Sequence, residues 1–578
     1  MGTSKLIVAC VVLLATPTAA LAGGGPANVV VLFNAGDPDA AAVALYYADA
    51  RSLPSGHTCP VDGVASDART ISFPDYQATI QTALDGCLAD LPQPDEIDYL
   101  VLVRGLPYRV DIADGYSTSL SAMLQVHHAA STADGSELAG QPQAYGEYFY
   151  ASIENPAYIE GHCWAGDLEI DNPYAGWYAT ACSIVRTETQ ARSFRRAESG
   201  EASGYDFAGN LFVVTRLDGF DHDDAFDLVD RGVAADGSFP GAEILCMEAA
   251  DSARGARDPE CELATRHLAM AGWNATYLTP HDAALEGREL AAYYTGAADL
   301  TGAIAGNSYV PGAITCNLTS LGAVPDNFFC DEDGTVCPAN ESQTSIARFV
   351  RAGATGAQGA VAEPLNNSFP AAGTLIYYAF GYNLGESYLL NQQFLYWQNI
   401  VLGDPLTTPY AERPLVEIGA AEVPQGEVLE VTASHPDGVA EVRLYVDGVR
   451  VASAEDERLE WPVDGEVGDT RRILAVAVAE NVEVDLPGWE ADVQLPRPDV
   501  QGWIVGEVTV VEPPTGDDDD SADGDDDDDD SSPGDDGGCE CSSGAAVAGP
   551  GGGALGAWLA GACWALRRRR PRARWQCV

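Results

Sequence analysis

From Asn28 to about Tyr410 the chain alternates short β-type apolar runs with helical segments, and this alternation restricts the fold more than any other feature. Val29 to Phe33, Tyr99 to Val103, Leu211 to Thr215, Ala242 to Met247, Ala275 to Leu278, Leu300 to Ile304 and Gly359 to Ala362 read as strands. Ala40 to Arg51, Asp223 to Arg231, Glu262 to Ala271 and Thr344 to Ala352 read as helices. Strands alternating with helices predict an α/β domain over residues 23–411, its mostly parallel sheet covered by helices on both faces. Between about 116 and 203 the pattern lapses: Asn155-Pro156, Asn172-Pro173 and many Tyr and Trp residues predict an irregular insertion pinned by Cys163 and Cys182. Such an insertion either lines a site or decorates the sheet.

Helical periodicity stops at Pro414. Over residues 412–511 short alternating runs take over: Val428 to Ala433, Val442 to Val446, Ile473 to Val478 and Val505 to Val511, with Asp447-Gly448 as a two-residue hairpin turn. With Trp461 available for the core, this reads as an immunoglobulin-like β-sandwich. The stretch Val442 to Val451 resembles bacterial Ig-like modules that follow a larger exported domain, which implies a spacer or adhesive stalk.

Both ends carry targeting signals. Lys5 precedes the apolar run Leu6 to Leu14, and Ala20-Leu21-Ala22 offers small residues for a signal peptidase, so residues 1–22 read as a signal peptide cleaved after Ala22. That apolar core falls short of the roughly 20 residues a helix needs to cross a bilayer. At the other end, residues 512–538 form an Asp-rich linker whose charges repel and which cannot bury apolar area, so it is expected to be disordered. Residues 539–578 hold Cys539-Glu540-Cys541, the apolar segment Ala545 to Leu566, long enough to span a membrane, and Arg567 to Arg570. The arginines predict a cytoplasmic end, which leaves the rest of the mature chain outside.

Together, the acidic linker, Cys539-x-Cys541, the small-residue apolar segment and the arginine cluster resemble the myxobacterial C-terminal sorting signal (MYXO-CTERM). The resemblance implies a processing protease as a partner, with Cys539 and Cys541 as its recognition element, and anchorage at the cell surface or outer membrane through the tail. Pro571 to Val578, with Cys577, extend beyond the usual pattern.

Net charge is −57, from 30 basic and 87 acidic residues, which argues against nucleic acid because phosphate binding needs clustered Lys and Arg. Lys5 is the sole lysine and leaves with the leader, so the mature chain has no P-loop, Schiff-base or kinase-type lysine. Nine of the 14 cysteines fall in the α/β region, and in an exported chain they predict disulfides. Spacing suggests Cys59 with Cys87, Cys163 with Cys182, Cys246 with Cys261, and Cys330 with Cys337, leaving Cys316 over. None has the Cys-x-x-Cys spacing of a structural zinc site, and no cofactor is implied.

Several segments of residues 28–410 carry a second resemblance. They are Val31-Leu32-Phe33-Asn34, Tyr46-Tyr47, Arg51-Ser52-Leu53-Pro54, Val103 to Arg109, Val214 to Gly219, Ala352-Gly353-Ala354, Glu363-Pro364 and Gly403-Asp404-Pro405-Leu406. In this order they resemble an uncharacterised family of exported bacterial proteins that accompanies exosortase-type sorting systems, a likeness that implies no particular reaction. Physically, Arg104, Arg109 and Arg216 follow strands, where open α/β sheets place their sites, so they are candidates for clamping a carboxylate, with Asp218 and Glu363 as further ligand-binding candidates. The alternative is structural ion pairing of Arg104 or Arg216 with Glu363 or Asp404.

The end of the domain is similar in plan to the gingipain and caspase-like hydrolases. Leu300 to Ala305 and Gly312 to Cys316 would be the strands that deliver a histidine and a cysteine. Cys316 then stands where that nucleophile would, and Gly306-Asn307-Ser308 where the histidine would, so Asn307 departs from the pattern. His281 is the remaining candidate base; without one a thiol stays mostly protonated. Asp218, Asp221, His222, Asp223, Asp224 and Asp227 form the densest acidic cluster. Their oxygens suit calcium, with Asp218, Asp221 and Asp223 as ligands, and equally suit a helix start. Three readings follow: a surface-displayed binding or envelope-associated protein, a thiol hydrolase of gingipain-like plan, and a structural envelope component.

Overall fold

The computed structural model describes residues 23–113, 116–127, 142–145, 148–151, 153–154, 211–330, 336–338, 341–364, 366, 369–392, 394–395, 397–480, 482–485, 494–496 and 499–513. The leader, Cys163 and Cys182 with most of the 116–203 insertion, the acidic linker beyond 513 and the tail with Cys539 and Cys541 lie outside the described residues. All that follows concerns the described residues of Met1–Pro514.

Ten strands form the main sheet: β1 (Val29–Asn34), β2 (Thr58–Val61), β3 (Tyr99–Val103), β4 (Val213–Leu217), β5 (Glu243–Met247), β6 (Ala275–Leu278), β7 (Glu289–Thr295), β8 (Ser308–Asn317), β9 (Gly356–Ala360) and β10 (Asn399–Leu402). Their order is β6-β5-β7-β8-β9-β10-β4-β3-β1-β2. Every neighbouring pair is parallel except β9 with β10. That one antiparallel pair splits the sheet into two parallel halves running in opposite directions, so their C-terminal ends lie at opposite edges. β3 and β4 are buried at every residue, as continuous apolar runs in parallel sheets usually are.

Helices cross between the strands. In α1 (Pro38–Ala50) the Asp37 side chain accepts from the Asp39 and Ala40 amides and Pro38 sits in the first turn, a strong start signal. In α2 (His222–Ala235) Asp221 caps the start, and Ala225, Leu228, Val229 and Gly232 face the core. α3 (Asp258–Met270) and α4 (Thr301–Gly306) follow, then α5 (Ala347–Ala352), α6 (Gly373–Ala379) and α7 (Leu384–Leu390).

Two expectations fail here. Leu300 to Ile304 is not a strand but the start of α4; the real strand is β7, whose run Leu290 to Thr295 is buried throughout. Short apolar runs do not distinguish helix from strand, and the small residues Gly302, Ala303 and Ala305 suit a helical turn packed closely. β2, Thr-Cys-Pro-Val, carries no apolar run of its own, whereas β10 is the short run Ile400 to Leu402. The second failure is Cys246 with Cys261: both are free, buried thiols, one on β5 and the other on α3, and they meet through a hydrogen bond. Cys59–Cys87 and Cys330–Cys337 are bonded.

After Pro414 two further sheets share one core. β11 (Leu415–Ile418), β13 (Val428–Ser434) and β16 (Arg458–Pro462) make the first, in the order β11-β13-β16. The second has the order β12-β18-β17-β14-β15, from β12 (Glu422–Pro424), β14 (Val439–Val446), β15 (Val449–Ala454), β17 (Thr470–Ala479) and β18 (Gln501–Val511). Leu429, Val431, Val442, Leu444, Ile473, Ala475 and Val508 fill the space between them. Asp447 (φ +50°) and Gly448 (φ +86°) both take left-handed backbone, so β14 and β15 join by the two-residue turn their sequence demands.

Candidate functional site

Cys316 lies at the C-terminal end of β8, paired across to Tyr294 on β7 and Gln358 on β9. It is free and only 6% exposed, and its Sγ donates to the Gln358 side-chain oxygen at 3.3 Å. Burial pushes the thiol well above its ordinary value, with Cys261 adding to the shift and Arg257 opposing it. The slot beside it holds about 20 Å³, room for one water, between Arg257, Asp258, Cys261, Tyr294 and Phe369. Among the described residues no imidazole partners Cys316. His281 Nδ1 instead meets the Glu248 carbonyl at 2.9 Å. Asn307 caps α4 and enters β8 at its other end, where its amide ties Leu285 and Ala303. The two ends of a ten-residue strand cannot share a catalytic centre, so the expectation of Asn307 in a histidine's place is corrected. A protonated, enclosed thiol is slow toward electrophiles. Iodoacetamide should therefore leave Cys316 unmodified in the folded protein and label it only in denaturant, as read by peptide mass spectrometry.

At the opposite sheet edge, Arg104 and Arg216 converge on Asp218. Arg216 is fully buried and donates to Asp218 Oδ2 (Nη2, 3.0 Å) and to the carbonyls of Pro107 (3.0 Å) and Leu106 (2.9 Å). Its guanidinium lies 4.4 Å from the Tyr108 ring centre. Arg104 donates to Asp218 Oδ1 (2.9 Å) and to the carbonyls of Gly219 (2.6 Å) and Phe328 (3.1 Å). Phe328 stacks on Tyr108 at 4.5 Å. These donors are already satisfied by the protein, which makes the cluster a structural ion pair rather than an open clamp. Its partner is Asp218, not the expected Glu363 or Asp404: Glu363 accepts from Ser320 Oγ at 2.7 Å, and Asp404 pairs with Arg51. Arg109 stands apart, 3.5 Å from Asp111 and a third exposed.

The acidic cluster is likewise engaged. Asp221 caps α2 and pairs with Arg351 (2.8 Å), and Asp224 accepts from Arg351 Nε (2.5 Å) and the Phe220 amide (2.7 Å). With Asp218 bound to two arginines, the expected calcium set Asp218, Asp221 and Asp223 does not come together. Among the described residues no group of three His, Cys, Asp or Glu side chains is arranged to hold a metal.

A further concavity among the described residues has no counterpart in the sequence reading. A cleft of about 610 Å³ opens between the end of the α/β region and the β-sheets that follow it, a size typical of ligand sites. Trp273, Phe380 and Tyr410 line it with rings set at steep angles, Trp273 lying 81° to Tyr410 and 70° to Phe380. Phe239 stands at its rim, 53% exposed and at φ +45°, a backbone region that bulky residues avoid. Glu412, Asp437 and Glu480 also line it, and no Lys or Arg does so among the described residues. His435 is held on both nitrogens, Nε2 by the Glu412 carbonyl (3.1 Å) and Nδ1 by the Asp437 amide (3.2 Å). The lining residues come from seven separate stretches of chain, so spacing offered no signal.

No protein-family model and no curated protein matches the chain. Among solved structures it is similar to the Arg-specific cysteine proteinase gingipain R (RgpB), at 12% identity and TM-score 0.41, over 85% of this chain and 99% of that one. The complex of Porphyromonas gingivalis RgpB pro- and mature domains gives 12% identity and TM-score 0.39, over 84% of this chain and 100% of that one. The fibronectin(III)-like modules of Clostridium thermocellum CbhA give 18% identity and TM-score 0.13, over 21% of this chain and 54% of that one. At such scores no residue role passes to this chain. Among the described residues no helix is long and apolar enough to cross a membrane.

Proposed function

We propose that this chain is an exported envelope protein that binds an organic cation in the cleft of Trp273, Phe380 and Tyr410. In this reading the sheets after Pro414 are an Ig-like stalk, the acidic linker a spacer, and the tail a sorting signal cut by a processing protease. One observation carries the binding role: a cleft of about 610 Å³ with aromatic walls and the carboxylates of Glu412, Asp437 and Glu480 in its lining. Rings that meet near 80° form a corner rather than a flat platform, which favours a compact ammonium over a stacked sugar ring. A net charge of −57 draws such ligands from a distance. Against the thiol-hydrolase alternative stands Cys316 itself, enclosed and hydrogen-bonded to a carboxamide among the described residues.

Calorimetric titration with choline tests this against 3,3-dimethylbutan-1-ol, which has the same shape without the charge. Choline should bind at least tenfold more tightly, and Trp273→Ala should weaken it by about tenfold, within the 0.5–2 kcal/mol range of such contacts. Equal binding of the neutral isostere, or binding untouched by Trp273→Ala, would reject the cation site.

A further inference from the structure

Residues Gly23, Gly24 and Gly25 are threaded through a seam that admits no side chain. A Cβ on Gly23 would overlap the Asp499 carbonyl, one on Gly24 the Tyr99 ring, and one on Gly25 the Gln501 side chain. Gly23 also takes φ +107°, open to glycine alone. The Gly23 carbonyl accepts from Gln501 Nε2 at 2.6 Å, and its nitrogen donates to Glu386 Oε1 at 2.6 Å. Glu386 is fully buried on α7, and Tyr99 OH donates to the same Oε1 at 2.6 Å, while Oε2 has no partner. Arg413, which also lines this pocket, spends its charge on Asp236.

A buried carboxylate facing only neutral donors is a poor electrostatic match. Desolvation accordingly pushes Glu386 up to about 7, although Tyr99 OH and the Gly23 N–H pull the other way. The missing ingredient is a cation on the Gly23 nitrogen, and hydrolysis of the Ala22–Gly23 bond makes one. Water is consumed, Ala22 leaves as a carboxylate, and the freed amine takes a proton; an α-amino group is ordinarily protonated below about 7.7–8.

We infer that Glu386 is a built-in receptor for the chain's own α-ammonium at Gly23, created when the leader is removed, with the new N–H groups serving the orphaned Oε2. This rests on the export reading for the cleavage and goes beyond it in assigning the new terminus a buried site. Gly23–Gly25 contact Tyr99, Leu406 and Glu386 on one side of the seam and Asp499 and Gln501 on the other. The new charge would therefore strengthen a seam that already joins the later β-sheets to the α/β region.

The mature chain has no lysine, so its α-amine is the only amine that an acylating reagent can find. Processed full-length protein is treated with N-hydroxysuccinimidyl acetate at neutral pH, and acetyl groups are counted by intact mass. The folded protein should label at least a hundredfold more slowly than the same protein in urea, which gains one acetyl at Gly23. Glu386→Gln should raise the native rate at least tenfold; if that variant does not accumulate, Gln501→Ala, which frees the Gly23 carbonyl, should do the same. Native labelling at the unfolded rate, or protection unchanged in both variants, would overturn the receptor. N-terminal sequencing separates the two layers: a mature chain starting elsewhere than Gly23 overturns the cleavage and the receptor with it, whereas a Gly23 terminus that labels freely overturns the receptor alone.

Discussion

Arg216→Met should cost about 3–5 kcal/mol of stability, because it leaves Asp218 wholly buried with half of its charge compensation gone. Arg216 does more than pair: its donors also satisfy the Leu106 and Pro107 carbonyls, and those orphaned acceptors add to the loss. Arg104 cannot move in, since it already spans Asp218 Oδ1, Gly219 and Phe328. Urea denaturation of the single variant and of Arg216→Met with Asp218→Asn checks this. The double variant should recover part of the loss, because it no longer strands a charge. A single-variant cost below about 1 kcal/mol would mean that the cluster is hydrated and open to a ligand after all.

The second large effect belongs to Arg51. Its Nε donates to Asp404 Oδ2 (2.6 Å) and its Nη1 to Asp236 Oδ2 (2.5 Å), with Arg51 2% and Asp404 0% exposed. Tyr47 OH (2.8 Å) and the Leu406 amide (3.0 Å) occupy Asp404 Oδ1. Arg51→Met should cost a similar 3–5 kcal/mol and also change the acid limb of the stability profile. Burial pushes the Asp236 carboxyl up, but Arg413 and Arg51 more than offset it, so the group sits below the usual carboxylate range. A carboxyl depressed by folding stabilises at pH values above its unfolded pKa, near 4, and that contribution is lost as pH falls through the folded value. Removing Arg51 should therefore flatten the loss of stability below about pH 4, a comparison that thermal melts at stepped pH would make.

Both clusters sit in the segments that stood out in the sequence. Arg51 and Asp404 belong to Arg51-Ser52-Leu53-Pro54 and Gly403-Asp404-Pro405-Leu406, and Arg104, Arg216 and Asp218 to the segments at the C-terminal ends of β3 and β4. The sequence showed that these charges matter, yet it assigned them the wrong partners. Asp218 was legible as acidic and near Arg216; that it also faces Arg104 depends on β3 lying next to β4 in the sheet. The pairing of Cys246 with Cys261 failed for a related reason. Fifteen residues of separation suggest closeness, but whether two thiols bond or only touch depends on how α3 packs on β5.

What the sequence settled by itself is local: the alternation of strands and helices, the Asp447-Gly448 hairpin, the helix start at Asp37-Pro38, and the lack of any lysine beyond Lys5. Each is written within a few residues, where backbone sterics, capping and side-chain periodicity act. Only the tertiary structure decided that Cys316 is enclosed, that Arg104 and Arg216 share one aspartate, that Trp273 and Tyr410 meet in a cleft, and that Gly23 reaches Glu386 across 363 positions. Those outcomes turn on the order of ten strands and on a single antiparallel pair, β9 with β10, which reverses half the sheet. Contacts between distant segments depend on that order, and no short stretch of residues encodes it.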